Sequence, residues 1–69
     1  MSEITVVVNG TDWVVDATTT VAAVVTRLGG AGAGIAVARN DEVVPRSAWA
    51  STSLAERDRV EIVSAAAGG

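Results

Sequence analysis

The chain ends on two glycines, Gly68 and Gly69, placed behind a strand-like run and three alanines. Glycine has no Cβ, so other groups can approach its backbone closely and it adopts conformations closed to other residues. The end of the chain, Ala67, Gly68 and Gly69, is therefore itself a candidate for the reactive part. The alternative is an inert end, since the last residues of most domains are poorly ordered.

The remaining side chains offer little other chemistry. The 69 residues include no Cys, His or Lys. This excludes thiol nucleophiles, imidazole bases, the usual zinc and iron–sulfur ligands, and P-loop or Schiff-base lysines. The eight acidic residues form no convincing pair for acid–base work. We expect no metal, no bound cofactor and no enzymatic activity of the chain itself.

Charge and composition argue against nucleic acid and membranes as partners. The net charge is −3 and the only aromatic residues are two Trp, whereas nucleic-acid binding needs clustered cations or stacking aromatic side chains. No apolar run reaches the ~18 residues of a membrane span, and the first residues lack the basic region of a signal peptide. The expectation is a cytoplasmic monomer that meets its partners transiently.

A hairpin is predicted at the start of the chain. Asn9-Gly10 lies between two runs rich in β-branched residues, which is the strongest short signal for a type I′ turn. A two-residue loop pairs Val6 with Trp13 and places both on the core face. Val7 then points to the opposite face.

One helix should follow the hairpin. Thr20 is suited to cap it, and Gly29 to end it. Its apolar stripe has helical spacing and consists of Val21, Val24, Val25 and Leu28. The glycine-rich string at 29–34 comes after a helix and before a strand, the reverse of the order in a phosphate-binding loop, so an ordinary loop is favoured.

The second half of the chain predicts three more strands. They cover residues 35–39, 43–44 and 59–64, and Pro45 ends the short one because proline cannot donate to a ladder. In the last strand Val63 faces away from the core. With that strand placed centrally beside the first, the order predicts an α+β, β-grasp (ubiquitin-like) fold: a small mixed sheet with one helix on one face.

The C-terminal half resembles a known family. The segment VPRSAWA at 44–50 resembles the VPRxxWA segment of the ThiS family, the sulfur-carrier proteins of thiamine biosynthesis, and Leu54 with residues 58–63 resembles its L-x-D-G-D-x-V-E-I-V segment. The terminal Gly-Gly matches as well, so the resemblance covers essentially the whole chain. It departs in the three alanines of the tail and at Arg57, where the family has a turn glycine. A positive φ at Arg57 would be strained by about 1 kcal/mol.

The resemblance implies a sulfur-transfer cycle. A ThiF-like enzyme uses Mg-ATP to adenylate the carboxylate of Gly69, sulfur from a donor enzyme turns it into a thiocarboxylate, and a ThiG-like thiazole synthase takes the sulfur. The carrier is then a protein cosubstrate. We expect a β-grasp domain over residues 1–64 and a flexible reactive tail over residues 65–69.

Surface residues near the tail are candidates for docking. If the first and last strands are neighbours, Val7 and Val63 should form an exposed apolar patch, which is either a docking site or an ordinary surface feature. Arg46 either pairs with an acidic group of a partner or is simply solvated. Trp49 is predicted to be a structural lid, and Trp13 to lie deeper in the core.

The sequence leaves three other functions open. One is a molybdopterin-type sulfur carrier, a group that usually lacks the VPRxxWA segment. Another is a ubiquitin-like modifier joined to lysines through Gly69. The third is a plain β-grasp binding module with an inert tail.

Overall fold

The computed structural model describes residues 2–30 and 34–64. Over these residues the chain forms a five-stranded sheet, one α-helix and one 3₁₀ helix. In chain order they are β1 (Glu3–Val8), β2 (Thr11–Asp16), α1 (Val21–Arg27), β3 (Ile35–Arg39), β4 (Glu42–Val43), the 3₁₀ helix (Arg46–Ser51) and β5 (Arg59–Ser64). The strand order is β2-β1-β5-β3-β4. β1 and β5 are parallel and the other pairs antiparallel, which is the predicted β-grasp arrangement with the last strand at its centre.

The hairpin has the predicted turn and register. Asn9 and Gly10 both have positive φ, 49° and 83°, as a type I′ turn requires. Val6 lies opposite Trp13 and Ile4 opposite Val15. The alternation therefore directs Val6, as predicted, and Val8 toward the core.

Helix α1 begins and ends where the capping residues predict. The Thr20 hydroxyl accepts a hydrogen bond from the Ala23 amide at 3.3 Å, and Gly29 follows with φ +84°. The prediction for Leu28 is wrong: its side chain is 44% exposed. Leu28 is the C-cap of a helix that stops at Arg27, so the apolar stripe ends one turn before it.

Most of the core consists of valines from the sheet and α1. The buried hydrophobic residues of the described part are Val6, Val8, Val15, Val21, Val24, Val25, Val37, Trp49, Leu54 and Val60. β-branched side chains suit a pleated, half-buried surface and lose little freedom on packing. Burying each stabilises the fold by about 1.5–3 kcal/mol, which matters in a chain of this size.

The two tryptophans have the reverse of their predicted burial. Trp49 is only 8% exposed, whereas Trp13 is partly buried at the margin of the core. Trp13 belongs to β2, which is an edge strand with a neighbour on one side only. The Arg27 guanidinium lies 4.8 Å from its ring centroid and covers part of it.

The short edge strand is displaced by one residue from its predicted position. Asn40 and Asp41 both have positive φ, 51° and 72°, so they form the two-residue turn by themselves. Arg39 therefore pairs with Glu42, and the strand is Glu42–Val43 instead of residues 43–44.

Candidate functional site

The strand that leads toward the candidate reacting end is β5. On one flank the β3 ladder follows it from Val60 to Ser64. On the other flank the β1 ladder covers Arg59 and Val60, because β1 turns away into the hairpin at Asn9. The second half of β5 therefore extends past β1.

A side chain continues the pairing where β1 stops. The Asn9 Oδ1 atom accepts a hydrogen bond from the Ile62 amide at 2.8 Å, and its Nδ2 donates to the Ile62 carbonyl at 3.2 Å. The Asn9 amide also donates to the Val60 carbonyl at 2.9 Å. Sequence reasoning assigned Asn9 to the turn alone and missed this contact; the available signal was a primary amide, which can both donate and accept.

The tail residues predicted to react are not among those the structure describes. Gly69, Gly68 and Ala67 lie beyond Ser64, as does the whole predicted tail 65–69. Their roles, and the division of the chain after residue 64, remain predictions from the sequence.

The register separates the two valines predicted to form one patch. Val7 lies opposite Arg59, four residues before Val63, which is about 13 Å along the strand at ~3.3 Å per residue. Both face away from α1, but Val7 is half-buried and Val63 is 61% exposed. The prediction of a joint Val7–Val63 patch is therefore wrong.

Val63 belongs instead to an apolar strip that crosses β5, β3 and β4. Ala36 lies opposite Val63, and Ala38 lies opposite Val43, which is 79% exposed. Residues opposite each other share a face of the sheet. We call Val63, Ala36, Ala38 and Val43 the apolar strip; it begins next to the end of β5.

The VPRSAWA segment forms a lid on the other side of the sheet. Trp49 donates its Nε1 hydrogen to the Val44 carbonyl at 2.9 Å, so the polar group of the buried indole has a hydrogen-bond partner. The Arg46 guanidinium lies 5.2 Å from the Trp49 ring centroid, within the range of a cation–π contact. The prediction that Trp49 has a structural role is confirmed. Arg46 lies on the helix side of the sheet, so the structure does not bring it together with Val63.

A buried carboxylate anchors the start of β5. Asp58 is 6% exposed; its Oδ2 accepts from Arg39 Nε at 2.7 Å and from the Ala55 amide at 2.8 Å, and its Oδ1 accepts from Asn40 Nδ2 at 3.0 Å. Burial raises the pKa of Asp58, but these hydrogen bonds and the Arg39 charge outweigh it, so the pKa lies below its ordinary value. Sequence reasoning noted Asp58 only as part of the resemblance.

The turn before Asp58 carries the departure from the family pattern. Arg57 has φ 71°, a left-handed conformation that costs a non-glycine residue about 1–2 kcal/mol. Its amide donates to the Thr5 carbonyl at 2.7 Å, and the Glu56 carboxylate accepts from the Thr5 amide at 2.9 Å. The strained turn is held because it completes the pairing of β1.

The described residues contain neither a metal-binding cluster nor a membrane-spanning helix. Across residues 2–30 and 34–64, no group of three or more His, Cys, Asp or Glu side chains could hold a metal ion. In the same part of the chain, no helix has the length and apolar character needed to cross a bilayer.

Comparisons with known proteins agree with this geometry. The model of the ThiS family matches residues 2–69. The crystal structure of a thiamine biosynthesis protein (ThiS) from Geobacter metallireducens is similar with a TM-score of 0.74 and 30% sequence identity, over 88% of this chain and 93% of that one. The curated proteins include no match. A family model that spans nearly the whole chain and a solved structure with the same fold lead to one conclusion: the chain belongs to the ThiS family.

Proposed function

We propose that the chain is the sulfur carrier of thiamine biosynthesis and that the carboxylate of Gly69 carries the sulfur. The observation behind this proposal is the family match, which runs through the terminal Gly-Gly. The likeness to a ThiS protein of 30% identity supports it. We place the reaction in the cytoplasm, where Mg-ATP is available.

The proposed chemistry begins with activation of a poor electrophile. A carboxylate oxygen of Gly69 attacks the α-phosphorus of Mg-ATP on a ThiF-like enzyme, and pyrophosphate leaves. Hydrosulfide supplied by the donor enzyme then attacks the carbonyl carbon, AMP leaves, and the product is the thiocarboxylate. In the reaction of a ThiG-like thiazole synthase the thiocarboxylate gives its sulfur to the substrate and takes an oxygen atom in exchange, which restores the carboxylate.

The carrier acts in this scheme as a cosubstrate. Partners supply the nucleotide site and the charges that activate the carbonyl, while Gly68 and Gly69 let backbone groups approach without a Cβ in the way. Ala67 keeps the thread narrow. The pairing of β5 supports this role, because the β3 ladder follows β5 as far as Ser64 and holds the strand from which the tail continues.

The apolar strip is the proposed docking surface for the adenylating enzyme. Val63 and Val43 are large hydrophobic side chains with more than half of their surface exposed, 61% and 79%. Burying such side chains against a partner is favourable by about 25 cal/mol per Å². The strip also adjoins the end of β5, so docking there would direct the tail toward the partner's active site.

Intact-mass spectrometry tests the proposal. The protein is incubated with an adenylating enzyme of this family, Mg-ATP and a sulfur donor labelled with a heavy sulfur isotope. We expect a species in which one oxygen is replaced by one labelled sulfur. The isotope is needed because oxidation of Met1 adds nearly the same mass. A chain lacking Gly69 is the matched control and should gain no label.

The other outcomes separate the competing functions. Discharge of the label to a molybdopterin synthase and not to thiazole synthase would make the chain a molybdopterin-type carrier. An isopeptide-linked adduct would indicate a modifier. No label with an enzyme that is active on its own carrier would refute the carrier function.

A further inference from the structure

The Asn9 side chain lies at the point where β5 loses its neighbour β1. Glycine and aspartate are also suited to the first position of a type I′ turn, so the turn alone does not require the side-chain amide of Asn9. The amide makes two hydrogen bonds to one residue, from Ile62 N at 2.8 Å and to Ile62 O at 3.2 Å. We call this pair of bonds the Asn9 clamp.

The clamp occupies a defined place on one edge of β5. The Asp58 carbonyl accepts from the Val7 amide, and the Val60 carbonyl accepts from the Asn9 amide. From Asp58 onward, every second residue therefore directs its backbone groups toward β1. Ile62 is the next in that series and is bound by the clamp. By the two-residue repeat of a strand, Ser64 is the first position on this edge beyond it.

We propose that Asn9 is a positioning residue for the reaction at the chain end. Resting on the proposed carrier function, the clamp acts through Ile62: it fixes the direction in which β5 delivers the tail. Without the clamp, the part of β5 beyond Val60 would be bonded to β3 alone, and a strand held from one side can twist and fray more readily. A strand end held in one direction brings the reacting carboxylate to the activating groups of a docked enzyme in a larger fraction of encounters.

Two variants isolate the amide from the turn. Asn9→Gly keeps a residue that accepts the φ of 49° and removes both bonds. Asn9→Asp also tolerates this φ and keeps the acceptor for the Ile62 amide, but it cannot donate to the Ile62 carbonyl. Because a carboxylate oxygen would then face the Ile62 carbonyl oxygen at the place of the Nδ2 donor, this variant should also lose the clamp and behave like Asn9→Gly.

The matched control is Asn40→Gly. Asn40 likewise has positive φ in a two-residue turn, and its Oδ1 accepts from the Arg59 amide at 2.9 Å. It therefore binds the beginning of β5, at the end far from the tail. A general loss of stability would show in this variant as well.

The experiment combines amide hydrogen exchange with steady-state adenylation kinetics. In Asn9→Gly we expect the hydrogen of the Ile62 amide to exchange about tenfold faster than in wild type. The Val7 amide, which also bonds across this edge of β5, is the internal reference. With a ThiF-like enzyme and Mg-ATP, kcat for pyrophosphate release should fall about three- to tenfold, while KM for the carrier stays within about twofold because the docking surface is intact. Asn40→Gly should keep the wild-type kcat.

Three results would overturn the positioning role: unchanged exchange at Ile62, unchanged kcat despite faster exchange, or an equal loss of kcat in Asn40→Gly. Failure of the wild-type protein to be adenylated at all would refute the carrier function, and the positioning role with it. The exchange data would still decide whether the clamp holds β5, so the two failures are distinguishable.

Discussion

Arg39 and Asp58 form a partly buried ion pair, with 2.7 Å between Nε and Oδ2. The pair lies where β3 ends and β5 begins. The Asp58 side chain is 8% exposed and that of Arg39 35%. The carboxylate also binds the Ala55 amide and the Asn40 side chain. One acidic residue thus holds together the turns that precede β5 and β4.

Replacing Asp58 with asparagine should destabilise the fold by about 2 kcal/mol. The substitution removes the negative charge from hydrogen bonds that each contribute about 1.5–3 kcal/mol when one partner is charged. It also places the side-chain NH2 group of asparagine opposite other hydrogen-bond donors. Asp41→Asn is the matched control: its partner Arg59 is at 3.0 Å, but both side chains are more than half exposed, so its loss should cost less than about 1 kcal/mol. Urea unfolding of both variants measures the difference. Equal costs would show that the Asp58 network does not stabilise the fold.

The same carboxylate predicts a fall in stability in acid. The pKa of Asp58 is lowered in the fold, so the unfolded chain takes up the proton at a higher pH than the folded chain. The stabilisation is therefore fully present above about pH 5 and is lost as the pH falls through the folded pKa.

Free energies of unfolding measured from about pH 6 to pH 2.5 test this relation. Asp58→Asn should show a shallower decline than wild type. Some decline should remain, because hydrogen bonds from Thr18 also lower the pKa of Asp16. A variant whose curve parallels the wild-type curve would contradict the prediction.

Arg57→Gly should stabilise the protein by about 0.5–1 kcal/mol. The φ of 71° at this position suits glycine. The free energy gained by relieving the strain exceeds the free energy lost because glycine makes the unfolded chain more flexible. Arg57→Ala is the control, because it removes the charged side chain but keeps the strain. The melting temperature should rise by roughly 2–8 °C in the glycine variant and not in the alanine variant. A rise in both would assign the effect to charge instead of backbone conformation.

Val63→Asp should raise the KM of the adenylating enzyme for the carrier by about tenfold, because it places a charge in the proposed docking surface. Val14→Asp is the control: Val14 has nearly the same exposure, 60% against 61%, and lies on the same sheet face but on edge strand β2. Both substitutions place aspartate in a strand, so their effects on folding should be similar. Equal KM values for the two variants would exclude the apolar strip as the docking surface.

Local patterns determined much of the fold. The Asn9-Gly10 turn, the period-two valines of β1 and β5 and the Thr20 cap are short-range features, because a turn type or a cap depends on neighbouring residues. The resemblance carried by residues 44–50 and 58–63 identified the family. The terminal glycines directed attention to Gly69 without any structure.

Other features depended on contacts between distant parts of the chain. The register of β1 against β5 decides that Val7 and Val63 lie apart and that Val63 joins Val43 through β3. The burial of Trp49 instead of Trp13 follows from which strand lies at the edge of the sheet.

The Asn9 clamp and the Asp58 network span 53 and 18–19 residues of sequence. Short-range patterns were enough to predict most strands and turns, and the family to which the chain belongs. Which side chains meet across the sheet could not be predicted in this way, because strand order and register are set by the packing of the whole core.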